Sequence, residues 1–121
     1  MDKFFNFQEK IVRYRDYGSG KCIVLLHGFT ESLEIWDDLA NQLSENFRII
    51  TLDLPGHGKT SCFSEVHTMK FMTEVVNAVV EFCNISKFLL VGHSMGGYVS
   101  LEYAVNYPDK LAGLGLFHSH A

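Results

Sequence analysis

The residues G-H-S-M-G-G at positions 92–97 contain a serine in the pattern G-x-S-x-G. In this pattern the serine lies on a sharp turn between a strand and a helix, where its hydroxyl is placed to attack a carbonyl carbon. The apolar run at 88–91 predicts a buried strand before the turn, and a helix is expected over Met95–Asn106, ended by the Pro108 region. We therefore predict that Ser94 is a nucleophile for acyl transfer.

Acyl transfer also requires hydrogen-bond donors for the oxyanion that forms on the attacked carbonyl. The first turn of the helix after Ser94 directs its N–H groups at the site, so the Met95 N–H is one expected donor. The second donor is expected in H-G-F at 27–29, directly after another apolar run. Gly28 allows the backbone to approach the site closely, and we predict that the Phe29 N–H is the second donor. His27, Gly28 and His93 are predicted to line the pocket.

His118 and His120 stand two residues apart after the last apolar stretch, so they share one side of an extended chain. Strand ends of this kind face the crevice in α/β sheets, which makes both residues candidates for lining the pocket. They could also be polar residues at a strand end or contacts for a further segment. A catalytic role for either histidine is an alternative interpretation, and no metal site is predicted because a third ligand is not evident.

The run G-K-T at 58–60 resembles the end of a phosphate-binding loop, but Asp53 occupies the position of its first glycine. A carboxylate there would repel phosphate, so nucleotide binding is not expected. No cofactor is implied.

The elements that must position these residues alternate between strand and helix patterns. Strands are predicted at 4–7, Lys10–Tyr17, Cys22–Leu26, 47–52, 88–91 and Leu111–Phe117, and helices at 36–43, 66–83 and Met95–Asn106. Crossovers of this length connect parallel strands. The sequence therefore predicts one α/β domain with a mostly parallel sheet, and Arg13 and Arg15 are expected on a solvated strand face.

Composition narrows the class of protein and its partners. The chain has 121 residues, 47% hydrophobic and 20% charged, which suits a single globular domain with a core. A net charge of −4 disfavours nucleic acid and anionic membranes as partners. The three cysteines lack metal or redox spacing, and neither a signal peptide nor a membrane span is visible, so cytoplasmic localisation is the expectation.

The three motifs at 27–29, 53–58 and 92–97, in this order and spacing, resemble the α/β-hydrolase superfamily, and in particular its esterase, cofactor-free haloperoxidase and menaquinone-pathway members. The resemblance covers the chain from the first to the sixth strand. It implies a three-layer core whose second strand is antiparallel, Ser94 as nucleophile, and Phe29 and Met95 as the oxyanion hole. It makes residues 1–121 the N-terminal portion of one such domain, acting on a small ester-like substrate.

In that family the acid and the base histidine follow the seventh and eighth strands, whereas this chain ends after the sixth. The resemblance therefore implies that both come from residues beyond Ala121. Two other functions stay open: a non-catalytic fragment or scaffold, and a lyase or perhydrolase on the same fold. The truncated edge at Leu111–Phe117 is expected to be apolar and to be exposed in this chain. We expect the remaining half of the protein or a second copy to cover it.

Overall fold

A computed structural model, which describes residues 2–64 and 66–117, contains three consecutive strands followed by three helices that alternate with three further strands. The strands are β1 (Lys3–Phe7), β2 (Lys10–Tyr17), β3 (Cys22–Leu26), β4 (Arg48–Leu52), β5 (Phe88–His93) and β6 (Leu111–Phe117). The helices are α1 (Asp37–Leu43), α2 (Met69–Phe82) and α3 (Met95–Asn106), with short 3₁₀ turns at Leu33–Trp36 and Pro108–Lys110. His118 and His120 lie outside the described residues.

The strands form one sheet in the order β1-β2-β4-β3-β5-β6. Strand β2 is antiparallel to both of its neighbours, as the resemblance implied, and the pairs β4–β3, β3–β5 and β5–β6 are parallel, as the crossover lengths predicted. The register pairs Leu26 at the end of β3 with Gly92 near the end of β5. The loops that follow these two strands, which hold Phe29 and Ser94, therefore begin side by side.

Two apolar layers flank the sheet. The larger cluster packs one face of the sheet against α2 and α3, through residues such as Val76, Leu90 and Val99. The smaller cluster packs the other face against α1, through Ile23, Trp36 and Ala40. All five residues of β3 are buried, because a central parallel strand is covered on both faces. This rigid strand carries the loop that begins at His27.

Two helix boundaries differ from the sequence prediction. Helix α2 begins at Met69 and not at Val66, because the Thr68 side chain accepts a hydrogen bond from the Phe71 N–H and caps the helix. Val66 is exposed, so its apolar side chain is not part of the helical stripe. The helix predicted over 36–43 is confirmed as α1, which begins one residue later because Trp36 ends the 3₁₀ turn Leu33–Trp36.

Strand β6 is one of the two edges of the sheet that the described residues form, and it is apolar and partly exposed, as expected. Leu114, Leu116 and Phe117 expose 39–48% of their surfaces. What covers this edge remains a prediction. Within the described residues, no helix combines the length and apolarity needed to cross a bilayer.

Candidate active site

Ser94 occupies the single residue between strand β5 and helix α3. Its backbone has φ 56° and ψ −114°, a left-handed conformation that costs energy for a residue with a Cβ. A serine at the start of a helix usually caps it, yet the Ser94 side chain makes no capping hydrogen bond. The residue is half-buried, so its hydroxyl is not enclosed in the core. This backbone geometry is the one expected for the nucleophile elbow that the sequence predicts.

Glycines on both sides of Ser94 allow the strand and the helix to cross closely. A Cβ at Gly92 would lie 2.2 Å from the Gly96 carbonyl oxygen. A Cβ at Gly96 would lie 2.5 Å from the carbonyl oxygen of Leu26 and 2.6 Å from that of His27. The start of α3 therefore rests directly on the end of β3, which brings the loop after β3 to Ser94.

Substituting Gly96→Ala should destabilise the protein, because its Cβ would meet two backbone oxygens that cannot rotate away. We expect a loss of about 2–3 kcal/mol in the free energy of unfolding, as for other overpacked cores. Urea denaturation measures it, with Gly115→Ala as the matched control, since that Cβ would meet only the Val91 side chain at 3.2 Å. Equal losses in the two variants would contradict the close crossing.

The loop after β3 lies against the elbow. A Cβ built on Gly28 would be 3.1 Å from the Cβ of Ser94. The Gly28 N–H donates to the Glu31 carboxylate at 2.6 Å, so it is not available to an oxyanion. Within residues 2–64 and 66–117, no acceptor is found for the N–H of Phe29 or of Met95. These two amides remain the candidate donors, and the Phe29 side chain is 68% exposed beside them.

His27 differs from the expectation that it lines the pocket. Its ring is fully buried, its Nδ1 lies 2.7 Å from the Gly28 carbonyl oxygen, and its Nε2 accepts from the Leu54 N–H at 2.9 Å. Burial lowers the pKa of this imidazole, which favours the neutral ring that these contacts need. His27 therefore joins the loops after β3 and β4 from inside the fold.

Arg13 also differs from the expectation, because it does not lie on a solvated face. Only 1% of the residue is exposed, and its Nε donates to the Asp53 carboxylate at 2.6 Å. Its terminal nitrogens donate to both oxygens of Glu34 at 2.6 and 2.8 Å. Asp53 further accepts from the N–H groups of Leu33 and Lys59, each at 2.8 Å. The pair fixes the loops after β3 and β4, which the site depends on.

The Arg13 guanidinium, followed by the Ser32 hydroxyl, lowers the pKa of Glu34 from 4.5 to about 2. A carboxyl whose pKa is lowered by folding stabilises the protein above its unfolded pKa and loses that contribution as the pH falls. The free energy of unfolding should therefore decrease from about pH 4.5 towards pH 2. Glu34→Gln should flatten this decrease in urea titrations, whereas Glu45→Gln, at an exposed position, should not. The same slope in Glu34→Gln as in the wild type would contradict the pairing.

His93 lies beside the elbow with its Nδ1 2.9 Å from the Glu31 carboxylate, so the structure adds Glu31 to the residues predicted around Ser94. Among the described residues, the Ser94 hydroxyl has no hydrogen bond to a histidine, and no cluster of three metal-ligating side chains occurs.

Trp36 is 5% exposed and packs edge-on against His93 and Phe117, consistent with packing and not substrate contact. Tyr98, on α3, is 43% exposed.

Comparison with known proteins yields a consistent set of similarities. The model of the alpha/beta hydrolase fold family matches residues 21–117. The dihydrolipoyllysine-residue acetyltransferase component of the acetoin cleaving system of Pseudomonas putida is 37% identical over 112 residues, which cover 91% of this chain and 30% of that protein. Monoacylglycerol lipase ABHD6 of Bos taurus is 31% identical over 122 residues, covering 90% of this chain and 36% of the lipase.

Among solved structures, a thermophilic esterase from Thermogutta terrifontis superposes with a TM-score of 0.92 at 30% sequence identity. The match covers 100% of this chain and 46% of the esterase. The chain thus spans less than half the length of each of these three proteins.

Proposed function

Because the chain belongs to the α/β hydrolase fold family, we propose that it carries the nucleophile and the oxyanion hole of a serine hydrolase for ester-like substrates. The observation that carries the proposal is the left-handed Ser94 between β5 and α3, with the Gly28 loop packed against it. The strain at Ser94 lifts the side chain out of the regular strand and helix, which suits a nucleophile.

In the proposed reaction Ser94 Oγ bonds to the carbonyl carbon of the substrate while a base takes the hydroxyl proton. The carbonyl oxygen becomes an oxyanion that accepts hydrogen bonds from the N–H groups of Phe29 and Met95. The C–O bond to the leaving group then breaks, the proton passes to the leaving oxygen, and an acyl-enzyme remains. Water repeats the sequence, releasing the acid and restoring the serine.

The base and its acid partner are proposed to come from residues beyond Ala121. This agrees with the short share of the relatives that the chain spans, 30–46%. The relatives named as a lipase, an esterase and an acetyltransferase component share acyl chemistry, which supports an ester or a related acyl substrate.

Labelling with a fluorophosphonate probe tests the proposal. The protein should be taken from its natural source, so that any residues after Ala121 are present. We expect one covalent adduct, located at Ser94 by peptide mass spectrometry. Absence of an adduct at Ser94 would favour a non-catalytic scaffold, and turnover of C–C cleavage substrates without ester hydrolysis would favour a lyase.

A further inference from the structure

Glu31 bridges the two loops that meet at the site. A single carboxylate oxygen, Oε1, accepts from the Gly28 N–H at 2.6 Å and lies 2.9 Å from Nδ1 of His93. A carboxylate oxygen can only accept, so the hydrogen in the second contact belongs to His93. Both side chains are more than two-thirds buried, with 29% of Glu31 and 27% of His93 exposed. Partial burial shields this charge-assisted pair from water and strengthens it.

The two partners of Glu31 each precede a residue of the proposed machinery. Gly28 is followed by Phe29, whose N–H is the candidate oxyanion donor, and His93 is followed by the nucleophile Ser94. Glu31 and His93 are 62 residues apart in the sequence, so their contact joins two distant segments. One carboxylate oxygen therefore sets the spacing between a donor and the nucleophile.

The backbone around Glu31 is shaped to return its side chain to this place. Thr30 has φ 63°, an uncommon conformation for a β-branched residue, and the Glu31 N–H donates to the Gly28 carbonyl at 3.2 Å. This tight turn reverses the chain so that the carboxylate reaches back to the Gly28 N–H. Strained residues persist where the surrounding contacts hold them, and Glu31 supplies contacts to both strained segments, at Thr30 and next to Ser94.

The Gly28 N–H is bound to the Glu31 carboxylate, which limits which amide can serve as the oxyanion donor. With that amide bound to Glu31, the next amide along the loop, at Phe29, is the one left to face a substrate oxygen. The Glu31 carboxylate holds the peptide plane between His27 and Gly28 through the Gly28 N–H. The Glu31 backbone N–H donates to the Gly28 carbonyl oxygen and so holds the next plane, between Gly28 and Phe29, which carries the Phe29 N–H.

We propose that Glu31 is a positioning residue of the oxyanion hole, which holds the Phe29 N–H at its working distance from Ser94 by binding Gly28 and His93 together. The inference rests on the proposed function of Ser94. It assigns to Glu31 no contact with the substrate and no proton transfer. Its effect should appear in the chemical step, because an oxyanion donor acts on charge that exists only in the transition state.

Kinetics of Glu31→Ala and Glu31→Gln on an activated ester, with the natural full-length protein, test this role. We expect Glu31→Ala to lower kcat about 10–100-fold with little change in KM, as a misplaced catalytic geometry does. Glu31→Gln should recover most of the rate, because its amide oxygen can accept both hydrogen bonds. Fluorophosphonate labelling of Ser94 should slow in parallel in Glu31→Ala.

The matched control is Glu45→Ala, which removes an exposed carboxylate after α1 and should leave kcat and labelling unchanged. Thermal unfolding of each variant checks that the fold is retained. A wild-type protein that labels at Ser94, together with a Glu31→Ala variant that labels and turns over at the same rate, would overturn the role of Glu31. A wild-type protein that does not label would instead overturn the proposed function.

Discussion

Replacing Ser94 by alanine is expected to abolish ester hydrolysis and fluorophosphonate labelling, with a fall in kcat of at least about 1,000-fold. Removal of the nucleophile of a serine protease costs about 10⁶-fold, and binding and oxyanion donors alone retain only a small residual rate. Steady-state kinetics on an activated ester with the natural full-length protein measures the loss. Retention of most of the activity would exclude an acyl-enzyme at Ser94.

The matched control for Ser94→Ala is Ser86→Ala. Ser86 is exposed and lies just before the amino end of β5, whereas Ser94 follows the carboxyl end of the same strand. The Ser86 variant should keep full activity and labelling. A loss in both variants would indicate that the strand, and not the hydroxyl of Ser94, had been disturbed.

A glycine at the same position separates catalysis from stability. Ser94→Gly also removes the hydroxyl, but glycine adopts a φ of 56° without steric cost. We expect this variant to be inactive, with a free energy of unfolding higher than that of Ser94→Ala by about 1 kcal/mol, the usual size of such strain. An inactive protein of greater stability would show that the strain at this residue serves the site.

Much of this geometry could be predicted from the sequence because its signals are local. The continuous apolar run of β3 indicates a strand covered on both faces, and a serine between glycines after another such run indicates the elbow. The spacing of apolar residues also predicted α2, but its start at Met69 depends on whether Thr68 caps the helix. That choice is made by one hydrogen bond that hydrophobic periodicity does not report.

The contacts that hold the site together could not be predicted, since they join distant segments. Arg13 and Asp53 are 40 residues apart, and no local sequence pattern around either residue indicates that they are partners. One signal was available for Asp53, because it interrupts the apolar residues Leu52 and Leu54, and a carboxylate in such a run must be paired once buried. His27 gave a comparable signal, since it directly extends the fully buried β3.

Breaking the Arg13–Asp53 pair is the second change with a large expected effect. Arg13→Met would leave the fully buried Asp53 carboxylate with N–H donors but without its cation. Removing one partner of a buried ion pair costs about 3–5 kcal/mol, mainly because the other charge stays buried and uncompensated. Urea unfolding should therefore show a loss of this size. A loss no greater than that in Arg15→Met would contradict this assignment.

Arg15 is the matched control because it lies two residues along the same strand, with 20% of its side chain exposed. Its partners are Asp2, which is 23% exposed, and Asp37 and Glu34, which are each 45% exposed. Pairs that water can reach contribute at most about 1 kcal/mol, so Arg15→Met should be mild. The double variant Arg13→Met/Asp53→Asn should lose less free energy of unfolding than the two single variants lose together, because it removes the buried charge along with its partner.

The same pair should influence activity through the loop after β3. Asp53 accepts from the Leu33 N–H, two residues beyond Glu31, so a shifted Asp53 moves the turn that presents the Phe29 N–H. We therefore expect Arg13→Met, assayed under conditions where it is still folded, to lower kcat more than it raises KM. Unchanged kcat in a destabilised Arg13→Met would instead mean that the ion pair stabilises the fold while the Glu31 contacts alone hold the loop.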